Sequence, residues 1–396
     1  MKWASAISTN ENLEAAVDEC IVDLKSRLGD LETHLSVIFV SPHFSSQYSR
    51  VPGLLRQKMN PGMVLGCSGG GIIGNGVEVE QSPALSVTCA SLPDVEIVPI
   101  HSNTMELPNQ DTTPKVWTEW LGVNPEKNPH FIFLADPFSF RGEEFLAGLD
   151  FAYPGSPKVG GLASGARGPG GNSLYLDDKI YNQGLVGVAL SGNIEVDTIV
   201  AQGCRPIGKT MNITECDGSM IRTLDGEPPL QVLQELYETL NEKDQELVQT
   251  SLFLGIEMNP LKDNPKQGDF LIRNLMGADR ETGSLAIGAY LRVGQLVQFH
   301  LRDKDMSAED LDMVLTRYNE EKSPGEVKGA LLFSCLGRGQ YLYGKPNHDS
   351  DLFRKRIGRV PLGGFFCNGE IGPVGTTTFL HGYTSSFGIF RAPQPA

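Results

Sequence analysis

The amino-acid sequence predicts an α+β protein in which mixed β-sheets are covered by helices, arranged as two lobes built from internally repeated units of strand and glycine-rich turn. Three observations lead there. Short apolar runs rich in Val, Ile and Phe, such as Val37-Ile38-Phe39-Val40 and Phe131-Ile132-Phe133-Leu134, read as strands buried on both faces. Each run is followed, after a stretch long enough for a crossover helix, by a glycine-rich turn and a further apolar stretch. Three segments carry apolar residues at helical spacing next to capping signals.

In chain order, residues 12–28 form the first helical segment, opened by Asn12 and stopped by Gly29. The first unit runs from Val37-Ile38-Phe39-Val40 to the turn Gly66-Cys67-Ser68-Gly69-Gly70-Gly71, passes Glu78 and closes on Ala84-Leu85-Ser86-Val87. The second runs from Phe131-Ile132-Phe133-Leu134 to Gly160-Gly161-Leu162-Ala163-Ser164-Gly165 and Leu185-Val186-Gly187-Val188-Ala189. Phe39 and Gly66 stand as far apart as Phe133 and Gly160. The turn Asp225-Gly226-Glu227-Pro228-Pro229 then precedes a helix with the stripe Leu230, Leu233, Leu236, Tyr237 and Leu240. A domain boundary falls just before it, giving a domain of residues 1–224 with two units and a domain of residues 225–396. A fourth, degenerate unit starts at Leu252 and continues through Phe270-Leu271-Ile272-Arg273-Asn274 to Gln295-Leu296-Val297-Gln298-Phe299, which would make two paired halves. The third helix is capped by Ser307, with Asp310 in the capping-box position and Leu311, Val314, Leu315 and Tyr318 on its apolar face. The remaining unit runs from Leu331-Leu332-Phe333-Ser334-Cys335 to Gly363-Gly364-Phe365-Phe366-Cys367-Asn368-Gly369-Glu370, with a slightly longer spacing from Phe333 to Gly363.

Composition narrows the function. The chain has 396 residues and a formal charge of −15, which disfavours a nucleic-acid partner because a phosphate backbone would be repelled. No apolar stretch reaches the length of a membrane span, and residues 1–5 lack the apolar run of a signal peptide, so a soluble cytoplasmic protein is expected. Seven cysteines are scattered without a C-x-x-C pair, which fits reduced thiols and predicts no metal centre; no cofactor is predicted either.

Two motif matches lack their structural context. Gly203-Cys204-Arg205-Pro206-Ile207-Gly208-Lys209-Thr210 fits the phosphate-loop spacing, but the following Met211-Asn212-Ile213-Thr214 is strand-like where a helix is required. Gly69-Gly70-Gly71-Ile72-Ile73-Gly74 fits the dinucleotide fingerprint, yet residues 75–83 alternate like a strand and end in proline. Cys67, Cys335 and Cys367 are candidate nucleophiles beside glycine turns, with Glu78, Glu370, Arg338 and His381 as possible activating groups.

The segments Phe333-Ser334-Cys335-Leu336-Gly337-Arg338-Gly339, Gly363 to Pro373 and Phe379-Leu380-His381-Gly382-Tyr383-Thr384 resemble the FIST C-domain pattern, as do Phe270 to Asn274 and Gly294 to His300. Gly66 to Gly71, Gly160-Gly161 and Gln202 to Gly208 resemble the FIST N-domain. The resemblance implies a sensory module for small ligands such as amino acids or their derivatives, acting through a protein partner. The short flanks on either side predict neither an F-box nor a kinase domain.

Within these motifs Arg338 and Arg273 are the candidates for an anionic ligand group, because a guanidinium presents a planar fork to a carboxylate. Asn368 and Glu370 suit a ligand amine, and Cys335 lies in the same loop. The ligand site is expected mainly in the C-terminal half, between residues 335–339 and 364–370. Two other functions compete with ligand sensing: a cysteine-dependent amide hydrolase or transferase, and a pure interaction scaffold.

Overall fold

The computed structural model describes residues 1–103, 106–109, 111–262, 264–322 and 327–393. They form two compact units, one made of Met1–Val200, Leu311–Leu380 and the stretch from Thr384 on, the other of Ala201–Asp310 with His381–Tyr383. Helices cover mixed sheets, so the α+β class holds.

The first third of the larger unit comprises β1 (Lys2–Ser8), α1 (Leu13–Leu28), β2 (Leu35–Val40), α2 (Val51–Lys58), β3 (Met63–Ser68), the hairpin β4 (Gly71–Gly74) and β5 (Val77–Glu80), and β6 (Leu85–Ser91). Helix α1 begins where the Asn12 side chain accepts the Ala15 N–H and ends at Gly29, whose φ of +66° suits glycine. The run of β2 is apolar throughout because both of its faces are covered. Val37 and Phe39 enter one core, while Ile38 and Val40 pack under α1 and α2.

The second third repeats this order of elements: β7 (Val95–Ser102), α3 (Pro114–Leu121), β8 (His130–Ala135), α4 (Gly142–Ala152), β9 (Lys158–Leu162), β10 (Leu174–Leu176), β11 (Lys179–Tyr181) and β12 (Leu185–Gly192). The last third opens with β13 (Glu195–Ala201).

The smaller unit follows in the chain. Its elements are β14 (Cys204–Asp217), β15 (Met220–Leu224), α5 (Pro229–Thr239), α6 (Glu242–Ser251), β16 (Leu252–Glu257), β17 (Phe270–Ala278), β18 (Leu285–Ile287) and β19 (Leu296–Arg302). The strands close a barrel in the order β14-β15-β18-β17-β16-β19, and its pairings are antiparallel. The segment expected to start a fourth unit at Leu252 is therefore a barrel strand: β16 pairs antiparallel with both of its neighbours, β17 and β19. The expectation of two paired halves falls with it. The phosphate-loop match lies mainly in strand β14. The α5 stripe of Leu230, Leu233, Leu236 and Leu240 packs on the barrel core.

The last third then continues with α7 (Lys304–Glu321), β20 (Val327–Cys335), α8 (Gly339–Tyr343), α9 (His348–Ile357), β21 (Leu362–Cys367), β22 (Glu370–Val374), β23 (Thr377–His381) and β24 (Ser385–Arg391). Helix α7 starts earlier than its sequence signal. Asp303 Oδ1 accepts the N–H groups of Asp305 and Met306, so Asp303 caps the helix and Ser307 lies inside it.

Three six-stranded sheets result, with the orders β1-β6-β2-β3-β10-β11, β7-β12-β8-β9-β22-β23 and β13-β24-β20-β21-β4-β5. Each has one central parallel pair, β2 with β3, β8 with β9 and β20 with β21. The hairpin β4–β5 thus extends the sheet of the last third, β10–β11 that of the first, and β22–β23 that of the second. One core joins the three sheets through Val37, Phe39, Ile132, Leu134, Leu331 and Phe333. At its centre the Phe39 and Phe365 rings stack at 4.8 Å.

Candidate functional site

In each parallel pair one glycine faces the neighbouring strand at closest approach. Gly66 lies opposite Ile38, Gly160 opposite Phe133 and Gly364 opposite Leu332. A Cβ on any of the three would stand 1.8–2.2 Å from the partner's carbonyl oxygen, so only glycine fits. The residues that mark the repeat's spacing are therefore not all ladder partners: Phe133 meets Gly160, but Ile38 lies opposite Gly66 and Leu332 opposite Gly364.

Counting four residues on from these glycines reaches Gly70, Ser164 and Asn368, and the three turns close into a ring. Ser164 N donates to Ser68 O at 3.1 Å, and Asn368 N donates to Leu162 O at 3.1 Å. The third side is bridged by a hydroxyl, since Gly70 N donates to Ser164 Oγ at 2.8 Å and Ser164 Oγ donates to Phe366 O. The Asn368 amide also donates to Ala163 O at 3.2 Å while its side chain stays exposed.

The loop after β20 and the start of β22 add charge beside this ring. Arg338 is fully buried, and its fork is taken by Asp349 of α9, with Nε to Oδ2 at 2.9 Å and Nη2 to Oδ1 at 3.1 Å. Asp349 further accepts from Ser334 Oγ and Ser385 Oγ. Burial alone would raise the Asp349 carboxyl, but the guanidinium and these hydrogen bonds outweigh it and hold the group well below the usual carboxylate range. Removing either partner of such a pair typically costs about 3–5 kcal/mol because a buried charge is left alone. Arg338 is thus committed inside the protein.

Glu370 is also fully buried. Its Oε2 accepts Thr384 N at 3.1 Å and Thr384 Oγ1 at 2.9 Å, while Oε1 meets no hydrogen-bond partner among the described residues. Burial pushes its pKa up to about 8, against the pull of Thr384 and Arg338, so the carboxyl is largely protonated at neutral pH. Glu78, expected from the sequence only as a group that could activate a nearby cysteine, is the counterpart on β5. Burial and the nearby Asp349 raise it to about 8, and its Oε1 accepts Ser350 N at 2.8 Å near the start of α9. Asn347 Oδ1 in turn accepts Glu78 N at 2.7 Å. No sequence signal pointed to this reciprocal cap, because its two halves lie far apart in the chain.

Cys335, half-buried, ends β20 directly opposite Cys367 in the parallel register, and its N–H donates to Thr384 O at 3.0 Å. Burial pushes the Cys67 and Cys367 thiols well above their ordinary value. Arg273 belongs to the barrel unit, where it stands on β17 and donates from Nη1 to Ile272 O. The fold therefore groups Arg338, Asn368, Glu370 and Cys335 around the end of β21 and the start of β22, with Arg273 on a separate unit. Among the described residues no three His, Cys, Asp or Glu side chains are placed to hold a metal ion, and no helix is long and apolar enough to cross a membrane.

Comparison with known proteins adds a family to this geometry. The FIST N domain family matches residues 34–227 and the FIST C domain family residues 229–373. An uncharacterized protein of Mycobacterium tuberculosis is 35% identical over 390 residues, covering 98% of this chain and 100% of its own length. An F-box/LRR-repeat protein of Arabidopsis thaliana is 25% identical over 293 residues, covering 62% of this chain and 54% of its own. F-box only protein 22 of Homo sapiens is 36% identical over 110 residues, 26% of this chain and 27% of its own. Because the two domain families together span most of the sequence, the chain belongs to the FIST family.

Proposed function

We propose that the protein is a sensory module that binds a small polar metabolite, an amino acid or a related compound, at the ring of glycine turns and reports it through a protein partner. FIST domains are generally regarded as small-ligand sensory domains, which supports the class of function. The observation that carries the reading is Glu370, a fully buried carboxyl with one oxygen unpartnered beside the ring. A buried polar atom without a partner is costly unless water or a ligand completes it. A neutral carboxyl offers a ligand a hydrogen bond without the desolvation cost of a charge. At the rim, the exposed Asn368 supplies donor and acceptor together. Arg338 serves as a positioning residue that ties the loop after β20 to α9, and Cys335 borders the site. Arg273, on the barrel unit, has no part in this reading.

The seven free thiols support a reducing, cytoplasmic setting. They give little support to a cysteine hydrolase, because a nucleophile needs a thiolate and burial holds Cys67 and Cys367 protonated.

A thermal-shift screen with amino acids and related polar metabolites tests the proposal. A ligand at a hundred times its Kd stabilises the native state by about 2.7 kcal/mol, readily visible as a raised Tm. By calorimetric titration, Asn368→Ala and Glu370→Gln should each bind the identified compound about tenfold more weakly or worse. Unchanged affinity in both variants, or a screen without a single hit, would refute the site and favour the scaffold reading.

A further inference from the structure

A second cleft lies at the opposite end of β21 from the ring, about 16 Å away at 3.3 Å per strand residue. It encloses roughly 340 Å³ between the turn of hairpin β4–β5, the end of α9 and the loop into β21. That is within the size range of small-molecule sites, about 300–1,000 Å³. Three arginines from three separate segments line it: Arg27 from α1, Arg354 from α9 and Arg359 from the loop. No acidic side chain lines it, although the whole chain carries a charge of −15.

The arginines are not all spent on local partners. Arg27 is braced by Asp23, which accepts from Nε at 2.8 Å, and by Asn75 in the hairpin turn, which accepts from Nη1 at 2.8 Å. Arg354 pairs with Asp351 at 2.6 Å. Arg359 is exposed and forms no ion pair among the described residues, which leaves one uncompensated positive charge in the cleft. Complementing a helix dipole accounts for Arg354 in the last turn of α9 and for Arg27 in the last turn of α1, but not for Arg359, which lies beyond the Gly358 that ends α9. Beside the charges, Val360 and Pro361 form an apolar wall.

We propose that this cleft binds a small organic anion, a carboxylate or phosphate ester whose charged group meets the guanidinium cluster and whose apolar part rests on the wall. Guanidinium groups suit such oxyanions because their donors lie in a planar fork. The site is independent of the ring and of the metabolite proposed there.

Calorimetric titration of the full chain with phenyl phosphate, benzoate and inorganic phosphate provides the test. Phenyl phosphate should bind one site per chain, and more tightly than inorganic phosphate because only it covers the wall. Arg359→Gln and Arg27→Gln should each weaken it about tenfold or more, whereas Asn368→Ala should leave it unchanged. Both arginines are exposed, so these variants should keep the wild-type circular dichroism and melting curve. Should Arg27→Gln fail to fold, Arg359→Gln alone decides. Absence of saturable binding, unchanged affinity in the arginine variants, or no advantage over inorganic phosphate would overturn the proposal.

Discussion

The side chains that give the site its character are charged groups placed where water does not reach, and each is resolved differently. Asp349 and Arg338 neutralise one another in full contact. Glu370 and Glu78 instead retain their protons, burial being the leading cause in both. A carboxyl whose folded-state pKa is raised binds its proton more tightly when folded than when unfolded. Its stabilising contribution is complete below the unfolded value, near 4.5, and disappears as pH rises through about 8. Glu370→Gln, which cannot ionise, should therefore gain on the wild type as pH increases. Urea unfolding of both proteins near pH 5 and near pH 8 should show the stability difference shifting in favour of Glu370→Gln by an amount on the order of a few kcal/mol. Parallel pH profiles would mean that Glu370 is ionised in the native state and that its charge is compensated there.

Strands and turns carry the next level. The apolar runs at Val37 and Phe131 announced their strands because a strand covered on both faces has no polar alternation to hide it. Helix α1 was legible from Asn12 and Gly29, whose capping roles are local. What escaped was non-local. The short hairpin β10–β11 lies on the edge of another third's sheet, and the barrel strands from Leu252 look like another unit until their antiparallel partners are known. Ile38 and Phe39 are equally apolar, and only the ladder decides which of them faces the glycine. Asn368, Glu370, Arg338 and Cys335 could be grouped from their glycine motifs, but the engagement of Arg338 by Asp349 depends on α9 docking and was invisible. The close-approach glycines are testable. Gly364→Ala puts a Cβ 1.9 Å from the Leu332 carbonyl, so the parallel ladder must shift, and the expected cost is at least about 3 kcal/mol. Gly76→Ala at an open hairpin turn, with φ of +73°, meets no neighbouring atom and should cost only about 1–2 kcal/mol. Chemical denaturation distinguishes them, and equal losses would show that β20 and β21 do not approach this closely.

At the scale of the larger unit, exchange of hairpins binds the three sheets into one cooperative structure. Each sheet takes its outer two strands from a different third of the chain, so no third completes its own sheet. The β4–β5 hairpin is further clamped to the last third, where Glu78 accepts the Ser350 N–H and Asn347 accepts the Glu78 N–H, while Glu80 accepts the Gln340 N–H at the start of α8. A shared core through Phe39, Leu134 and Phe333 couples the same sheets from within. Local openings that free one sheet would therefore have to undo strands contributed by another third, which favours a single cooperative unit. Native-state hydrogen exchange should accordingly give the amides of β2, β8 and β20 one common opening free energy, whereas the exposed turns open at lower cost. The informative perturbation is Glu78→Ala, which deprives the Ser350 N–H of its acceptor at a cost of about 1–3 kcal/mol. Among the described residues its hydrogen bonds join the first and last thirds. If the unit is cooperative, exchange should accelerate by the same factor in β8, which Glu78 does not touch, as in β20. Acceleration confined to β4, β5, α9 and β20 would show that the thirds open separately and that hairpin exchange links them only loosely.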